Sequence, residues 1–249
     1  SIPMQGLRQA SPQLDEKIAL IGLGLLGHIT CQLLRANGYA VFGIDLNDSL
    51  VKLARETASD AALNRNDGSL LKSCENFTQG RGFDAVIITA AAPSNDPIEL
   101  AAELSRKKGK IIVVGAVKMD IPREPHFFKK ELDLRMSCSY GPGRYDTEYE
   151  ENGNDYPFAF VRWTEQRNME AFLDLLSRKQ INMQPLVTHV FDVSEAEKAF
   201  DIITGKSPEP HIGILLKYSE NEKKLQSLVQ IRQNPVAQIN AGFIGAGSF

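Results

Sequence analysis

Apolar and polar positions follow one rhythm through residues 17–115: short apolar runs, each followed by a longer stretch of helical period. A strand buried on both faces reads as a continuous apolar run, and the helix that crosses over it repeats its apolar residues three and four apart. The rhythm therefore predicts βαβ units on a parallel sheet. Residues 17–22 form the first strand run and end in glycines. Residues 25–36 predict a helix with Ile29, Leu33 and Ala36 on one face, closed by Asn37 and Gly38. Residues 39–45 predict the second strand, and Asp48 the N-cap of a helix to about Glu56. Residues 61–64 read as a short third strand before a helix near 69–77. Residues 84–89 read as the fourth strand, 97–107 as a helix with Pro97 in its first turn, and 110–115 as the fifth strand.

The pattern then changes. Residues 127–132 look helical and 133–140 predict a sixth strand, followed by the long, polar and aromatic stretch 141–163, which has no period. A loop of that length is more often functional than idle. Residues 164–178 predict an amphipathic helix carrying Met169, Phe172, Leu175 and Leu176. A strand at 187–191, a helix at 194–203 and a strand at 212–218 complete the main body. Residues 219–234 read as a charged, Gln-rich helical linker. The tail, residues 241–249 (AGFIGAGSF), repeats the pattern of residues 19–26 (ALIGLGLL). It is either a flexible Gly-rich end or the start of a second unit like the one that opens at residue 17.

Composition narrows the classes. At roughly 150 residues per domain, 249 residues make one large domain or one domain and part of another. Twenty-eight Lys and Arg against 31 Asp and Glu give a net charge of -3, which supplies no basic footprint for nucleic acid. The longest apolar stretch, residues 18–29, contains three glycines and a histidine and falls short of the ~20 residues of a membrane helix. Three widely spaced cysteines (Cys31, Cys74, Cys138) exclude a disulfide scaffold and lack C-x-x-C spacing. The four histidines show no ligand spacing either, so no metal is expected. No charged start followed by an apolar run opens the chain, and free-thiol usage points to a reducing cytoplasm.

The strongest chemical signal is Gly22-x-Gly24-x-x-Gly27, because a strand runs into it and a helix leaves it. In that setting Gly22 permits the tight turn, Gly24 lets a pyrophosphate approach the backbone, and Gly27 lets helix and strand pack closely. The anion rests on free amides at the helix N-terminus, here Leu25 and Leu26. Asp45 stands 21 residues after Gly24, at the expected end of the second strand. A carboxylate there accepts the two ribose hydroxyls and repels a 2′-phosphate, and no Arg or Lys occurs in Leu46-Asn47-Asp48, so NAD is favoured over NADP. A Gly-rich turn serving only packing, or an S-adenosylmethionine site, competes with this reading; the third glycine argues against the latter.

With these residues in view, the chain from about Met4 to Tyr218 resembles the medium-chain, zinc-binding dehydrogenases. The resemblance rests on residues 17–27 (KIALIGLGLLG), 43–45 (GID), 83–90 (FDAVIITA) and 109–116 (GKIIVVGA), and on the closing segment 185–191 (PLVTHVF) and 195–200 (EAEKAF). Residues 139–146 (SYGPGRYD) and 162–168 (RWTEQRN) resemble a bi-domain subgroup fused to a Gfo/Idh/MocA-type oxidoreductase domain, whose opening strand the tail from Gly242 resembles. The resemblance implies a doubly wound Rossmann domain at 1–183 and a C-terminal return segment of the catalytic domain at 184–218. A linker at 219–234 and the truncated start of a second dinucleotide-binding domain at 235–249 would follow. It also implies an excised piece of a larger dehydrogenase, without the N-terminal catalytic domain that holds zinc, which binds NAD(H) without turnover. A non-catalytic NAD(H)-sensing module is the rival.

The candidate cofactor contacts are Gly22, Gly24, Leu25, Leu26, Gly27, Asp45 and Leu46. By resemblance, Ala90, Ala91, Gly115, Ala116 and Val117 join them on the nicotinamide side, where packing alone would also ask for small residues. Arg144 and Tyr145 either reach substrate or hold their loop and meet a missing domain. His28 is expected to face solvent, and no residue is assigned a catalytic role. The resemblance further implies a homodimer through the edge strand near 134–140, which carries one charge and no proline. Leu186, Phe191, Phe200, Ile202 and Ile214, which normally pack on the absent domain, are expected to need cover.

Overall fold

A computed structural model describes residues 1–218. The linker and tail expectations, 219–234 and 235–249, lie outside the described residues. The chain runs α1 (Ile2–Ala10), β1 (Lys17–Ile21), α2 (Leu25–Ala36), β2 (Ala40–Asp45), α3 (Asp48–Thr57), β3 (Ala61–Asn64), α4 (Leu70–Phe77), β4 (Phe83–Ile88), α5 (Asp96–Leu104) and β5 (Ser105–Val113). A wide turn at Arg123–Phe127 leads into α6 (Phe128–Lys130), β6 (Asp133–Met136), α7 (Thr147–Glu150) and α8 (Glu165–Ser177). Then β7 (Val187–Asp192), α9 (Ala196–Ile203) and β8 (Gly213–Lys217) follow.

Strands β1 to β6 form one parallel sheet in the order 3-2-1-4-5-6, the doubly wound Rossmann topology expected from the alternating pattern. Successive side chains of a strand point to opposite faces, and the core divides accordingly. Ile18, Leu20, Ala85, Ile87 and Ile112 pack on one face with α1, α2 and α3. Ala19, Ile21, Val86, Ile88, Ile111 and Val113 pack on the other with α4 and α5. Each large aliphatic side chain buried in this way contributes about 1.5–3 kcal/mol. The return segment folds as a separate βαβ unit in which β7 and β8 pair in parallel.

Several local expectations shift. Helix α1, which lies ahead of the apolar rhythm that begins at residue 17, covers the sheet with Met4, Leu7 and Ala10. The cap of α3 is Asn47, whose side chain accepts from the Ser49 N–H at 2.9 Å, so Asp48 is the first helical residue and not the cap. Helix α5 stops at Leu104, because Ser105 already pairs with Phe83 and β5 then absorbs a bulge, with Lys108 left-handed at φ 58°, before Lys110 meets Ala85. The sixth strand ends at Met136 instead of residue 140. Beyond it Ser139 turns left-handed at φ 45° and the Gly141 N–H closes a turn on the Cys138 carbonyl at 2.9 Å.

On α8, Phe172 and Leu175 pack on the core as expected, whereas Met169 and Leu176 face outward. In the return segment Leu186 and Ile202 are buried. Phe191 and Ile214 are half-buried, and Phe200 stays exposed at 60%. Part of the expected apolar surface is therefore already buried in this chain.

Candidate functional site

The carboxyl ends of parallel strands are where loops leave one face of the sheet for the other, so a crevice opens beside the switch point between β1 and β4. In this chain that crevice is a cleft of about 290 Å³ whose walls include Gly22, Gly24, Asp45, Leu46, Ala90 and Ala91. A wider cavity of about 500 Å³ lies elsewhere, beside Gly82, Phe83, Ser105 and Arg106 at the amino ends of β4 and β5, away from the glycine turn.

The three glycines have different surroundings. Gly22 sits at φ 98°, and a Cβ on it would stand 2.5 Å from the Ala90 nitrogen. A Cβ on Gly27 would stand 2.0 Å from the Gly22 carbonyl oxygen, so this glycine lets α2 press against the end of β1. Gly24 is unlike both: a Cβ there would meet nothing within 4 Å. It faces open space at the N-cap of α2. The cap has no side-chain hydrogen bond and the first turn holds no acidic residue, so the amides of Leu25, Leu26 and Gly27 have no capping side chain. A helix N-terminus of this kind carries partial positive charge and N–H groups that suit an anion.

Asp45, half-buried at the end of β2, is held on both oxygens. Oδ2 accepts from the Leu23 N–H at 2.6 Å and Oδ1 from the Asn47 N–H at 2.8 Å. The carboxylate thus links the turn after β1 to the turn after β2. Opposite, the Thr89 hydroxyl donates to the Gly22 carbonyl at 2.6 Å, and the Thr89 and Ala90 amides bond to the Ile21 carbonyl. Gly115 lies so close to this segment that a Cβ would stand 2.0 Å from the Ala90 oxygen. Ala92 and Val117 form a parallel bridge, with the Ala92 N–H on the Ala116 carbonyl at 2.9 Å. The twelve candidate residues therefore gather at one end of the sheet, with Gly115, Ala116 and Val117 behind Ala90 to Ala92.

His28 departs from expectation. It is fully buried, and its Nδ1 donates to the Leu23 and Gly24 carbonyls, while Nε2 is buried without a partner. Burial, partly offset by those carbonyls and by the nearby Asp45 charge, pulls its pKa below the ordinary histidine value. Arg144 pairs with Glu150 at 2.6 Å and lies over the Tyr145 ring, with Tyr140 also bonded to Glu150. This network stays within residues 140–150, and neither Arg144 nor Tyr145 is among the cleft walls.

Sequence reasoning missed two charged residues in the cleft, Arg65 and Asp96. They lie 31 residues apart, and no local spacing relates them. The described residues do not fit a zinc centre. Burial pushes the Cys31 and Cys74 thiols up to about 12, Cys138 is exposed, and among the described residues no three metal-donor side chains converge. Among the same residues, no helix is long and apolar enough to cross a membrane.

The family described as zinc-binding dehydrogenase matches residues 26–152. D-guloside 3-dehydrogenase of Escherichia coli (strain K12) is 26% identical over 215 residues, which is 84% of this chain and 57% of that protein. The chain thus spans about half the length of the curated relatives it matches. Among solved structures, the short chain alcohol dehydrogenase rspB from Escherichia coli CFT073, complexed with NADH, aligns at TM-score 0.63 and 20% identity. The alignment covers 86% of this chain and 56% of that one. A zinc-binding dehydrogenase from Sinorhizobium meliloti 1021, bound to NADP, aligns at TM-score 0.63 and 17% identity, with the same coverage. At those identities the structural likeness speaks to the fold.

Proposed function

The chain belongs to the zinc-binding dehydrogenase family, and from that premise we propose that residues 1–183 are the NAD-binding domain of an alcohol or polyol dehydrogenase. The observation that carries the proposal is the uncapped N-terminus of α2 at Gly24, opening beside a carboxylate fixed on both oxygens. The amides of Leu25, Leu26 and Gly27 bind the pyrophosphate. Asp45 accepts the adenosine ribose hydroxyls, Leu46 flanks them, and Ala90, Ala91, Gly115, Ala116 and Val117 border the nicotinamide. When bound, the nicotinamide supplies hydride transfer to or from a substrate carbon. The residues of this chain bind and orient the cofactor.

Residues 184–218 form the return segment of the catalytic domain. Because the chain spans 57% of the relative's length, the substrate-holding and metal-holding part of the parent enzyme is assigned to sequence beyond these 249 residues. The Gly-rich tail is assigned to a following Gfo/Idh/MocA-type domain. The 249-residue chain alone binds NAD(H) without turnover. Two copies pair through the edge strand β6, whose Met136 is 56% exposed, while Arg135 is drawn back onto Asp133 and the Gln9 carbonyl.

Titration calorimetry with NAD and NADP tests the reading. Saturable NAD binding that is tighter than NADP binding is expected. The absence of NAD binding, or tighter binding of NADP, overturns it. Metal analysis finding stoichiometric zinc, or steady alcohol oxidation by the chain alone, overturns its second part.

A further inference from the structure

Arg65 follows β3, in which Asn64 pairs with Asp45, and its backbone N–H donates to the Asp45 carbonyl at 2.8 Å. Adjacent strands lie about 4.8 Å apart, so Arg65 stands one strand over and one residue beyond the carboxylate assigned to the ribose. Its side chain is engaged from the opposite side. Nε donates to Asp96 Oδ2 at 3.1 Å and Nη2 to Oδ1 at 2.6 Å, a two-point fork onto the first turn of α5. Both residues line the cleft that holds Asp45 and Leu46. Both also border a second cavity of about 370 Å³ that contains Glu99, Glu103 and Glu124. The pair is a wall between the cleft and an acidic recess.

A guanidinium at this position has a chemical consequence. Arginine is the side chain best matched to a phosphate dianion, because its planar fork donates two parallel hydrogen bonds. Free to turn into the cleft, Arg65 would offer the 2′-phosphate of NADP a partner that offsets repulsion by Asp45. Held by Asp96, the same fork already carries a carboxylate, and an incoming phosphate meets two negative side chains.

We propose that Asp96 is a specificity-determining positioning residue: by clasping Arg65 it makes the cleft select a dinucleotide without a 2′-phosphate. The proposal rests on the assignment of the cleft to NAD. Asp45 supplies the repulsion, and Asp96 withholds the compensating cation. NADP exclusion is thus set by the tertiary pair 65–96 as well as by the residue after β2.

The test measures dissociation constants for NAD and NADP with the unaltered chain and with Asp96→Asn, Asp96→Glu, Arg65→Gln and the double variant Asp96→Asn/Arg65→Gln. Thermal melts of each are recorded alongside. Asp96→Asn is expected to tighten NADP about tenfold or more, on the scale of gaining a hydrogen bond between charged groups, with NAD affinity changed no more than about threefold. The gain should shrink with added salt. Asp96→Glu should restore the parental ratio, and the double variant should lose the gain. Asp96→Ser serves as a second release of Arg65 if the Asn variant melts early. An unchanged NADP-to-NAD ratio in a folded Asp96→Asn or Asp96→Ser chain with parental NAD affinity overturns the proposal, as does a gain that survives Arg65→Gln. Failure of the unaltered chain to bind NAD would instead overturn the assignment of the cleft.

Discussion

The backbone N–H of Leu23 donates to the Asp45 carboxylate at 2.6 Å, so the residue assigned to the ribose also ties down the glycine turn. The turn after β1 has no side chain of its own at Gly22 or Gly24 to hold it. The carboxylate 22 residues away supplies that constraint and spends its second oxygen on Asn47. The proposed ribose contact and the turn geometry therefore rest on one group.

Asp45→Ala should weaken NAD binding by about 1–3 kcal/mol, the scale for deleting a charged hydrogen-bond acceptor. The same change leaves the Leu23 N–H without its partner, so the melting temperature should fall as well. Calorimetry and a thermal melt on one preparation check both. Unchanged affinity would remove Asp45 from the site.

Gly24→Ala and Gly27→Ala should separate binding from folding. The new methyl at residue 24 enters open space, so the melt should shift by the equivalent of about 1 kcal/mol or less, set by the loss of a good N-cap residue. NAD affinity should drop at least about tenfold, because the methyl occupies the approach to the helix N-terminus. At residue 27 the methyl would stand 2.0 Å from the Gly22 carbonyl oxygen, which demands backbone movement and should cost about 3 kcal/mol or more. A Gly24→Ala chain with parental affinity would refute the anion assignment.

His28 gives a pH dependence with a definite sign. Burial favours its neutral form, so the folded state holds this proton less tightly than the unfolded chain, where the ordinary value near 6.5 applies. The unfolded state binds more protons in the window between the depressed folded value and 6.5. Stability contributed by the neutral ring is therefore fully present above 6.5 and declines as pH falls through that window. His28→Asn keeps a donor for the Leu23 carbonyl and cannot titrate. Denaturant unfolding at stepped pH should show a smaller loss below 6.5 for the variant than for the parent chain, and identical slopes would refute the assignment.

Association through β6 should appear as a dimer in light scattering at micromolar concentration. Met136→Lys places a charge on the exposed edge, the usual protection against strand pairing. It should yield a monomer that still unfolds cooperatively, with a melt that no longer depends on protein concentration. A parent chain that is monomeric under those conditions would refute the dimer, and a dimer untouched by Met136→Lys would move the interface elsewhere.

The apolar rhythm of residues 17–115 determined the order and type of the nine elements from β1 to β5 closely, because each is encoded by neighbours in the chain. Ile18, Leu20, Ala85 and Ile87 face one side and Ala19, Ile21, Val86 and Ile88 the other, as period-two alternation requires. The glycine turn and Asp45 were legible for the same reason: the spacing between a first and a second strand is nearly fixed by one crossover helix. Helix α1 was less visible, since it is short and its Met4, Leu7 and Ala10 make sense only beside the sheet they cover.

What the sequence could not supply was whatever depends on two distant segments meeting. His28 stands at the start of α2, where solvent is the default, and becomes fully buried only through tertiary packing. Arg144 offered a candidate phosphate ligand by type, and its pairing with Glu150 became visible only once the loop had folded. Arg65 and Asp96 had no motif at all. Their pairing follows from the 3-2-1-4 order of the sheet, which carries the end of β3 and the start of α5 to the same rim. Local periodicity fixes strands, helices and turns because those depend on neighbours a few residues apart. Charge pairing across the cleft depends on where the assembled sheet sets its loops, and only the tertiary structure decides that.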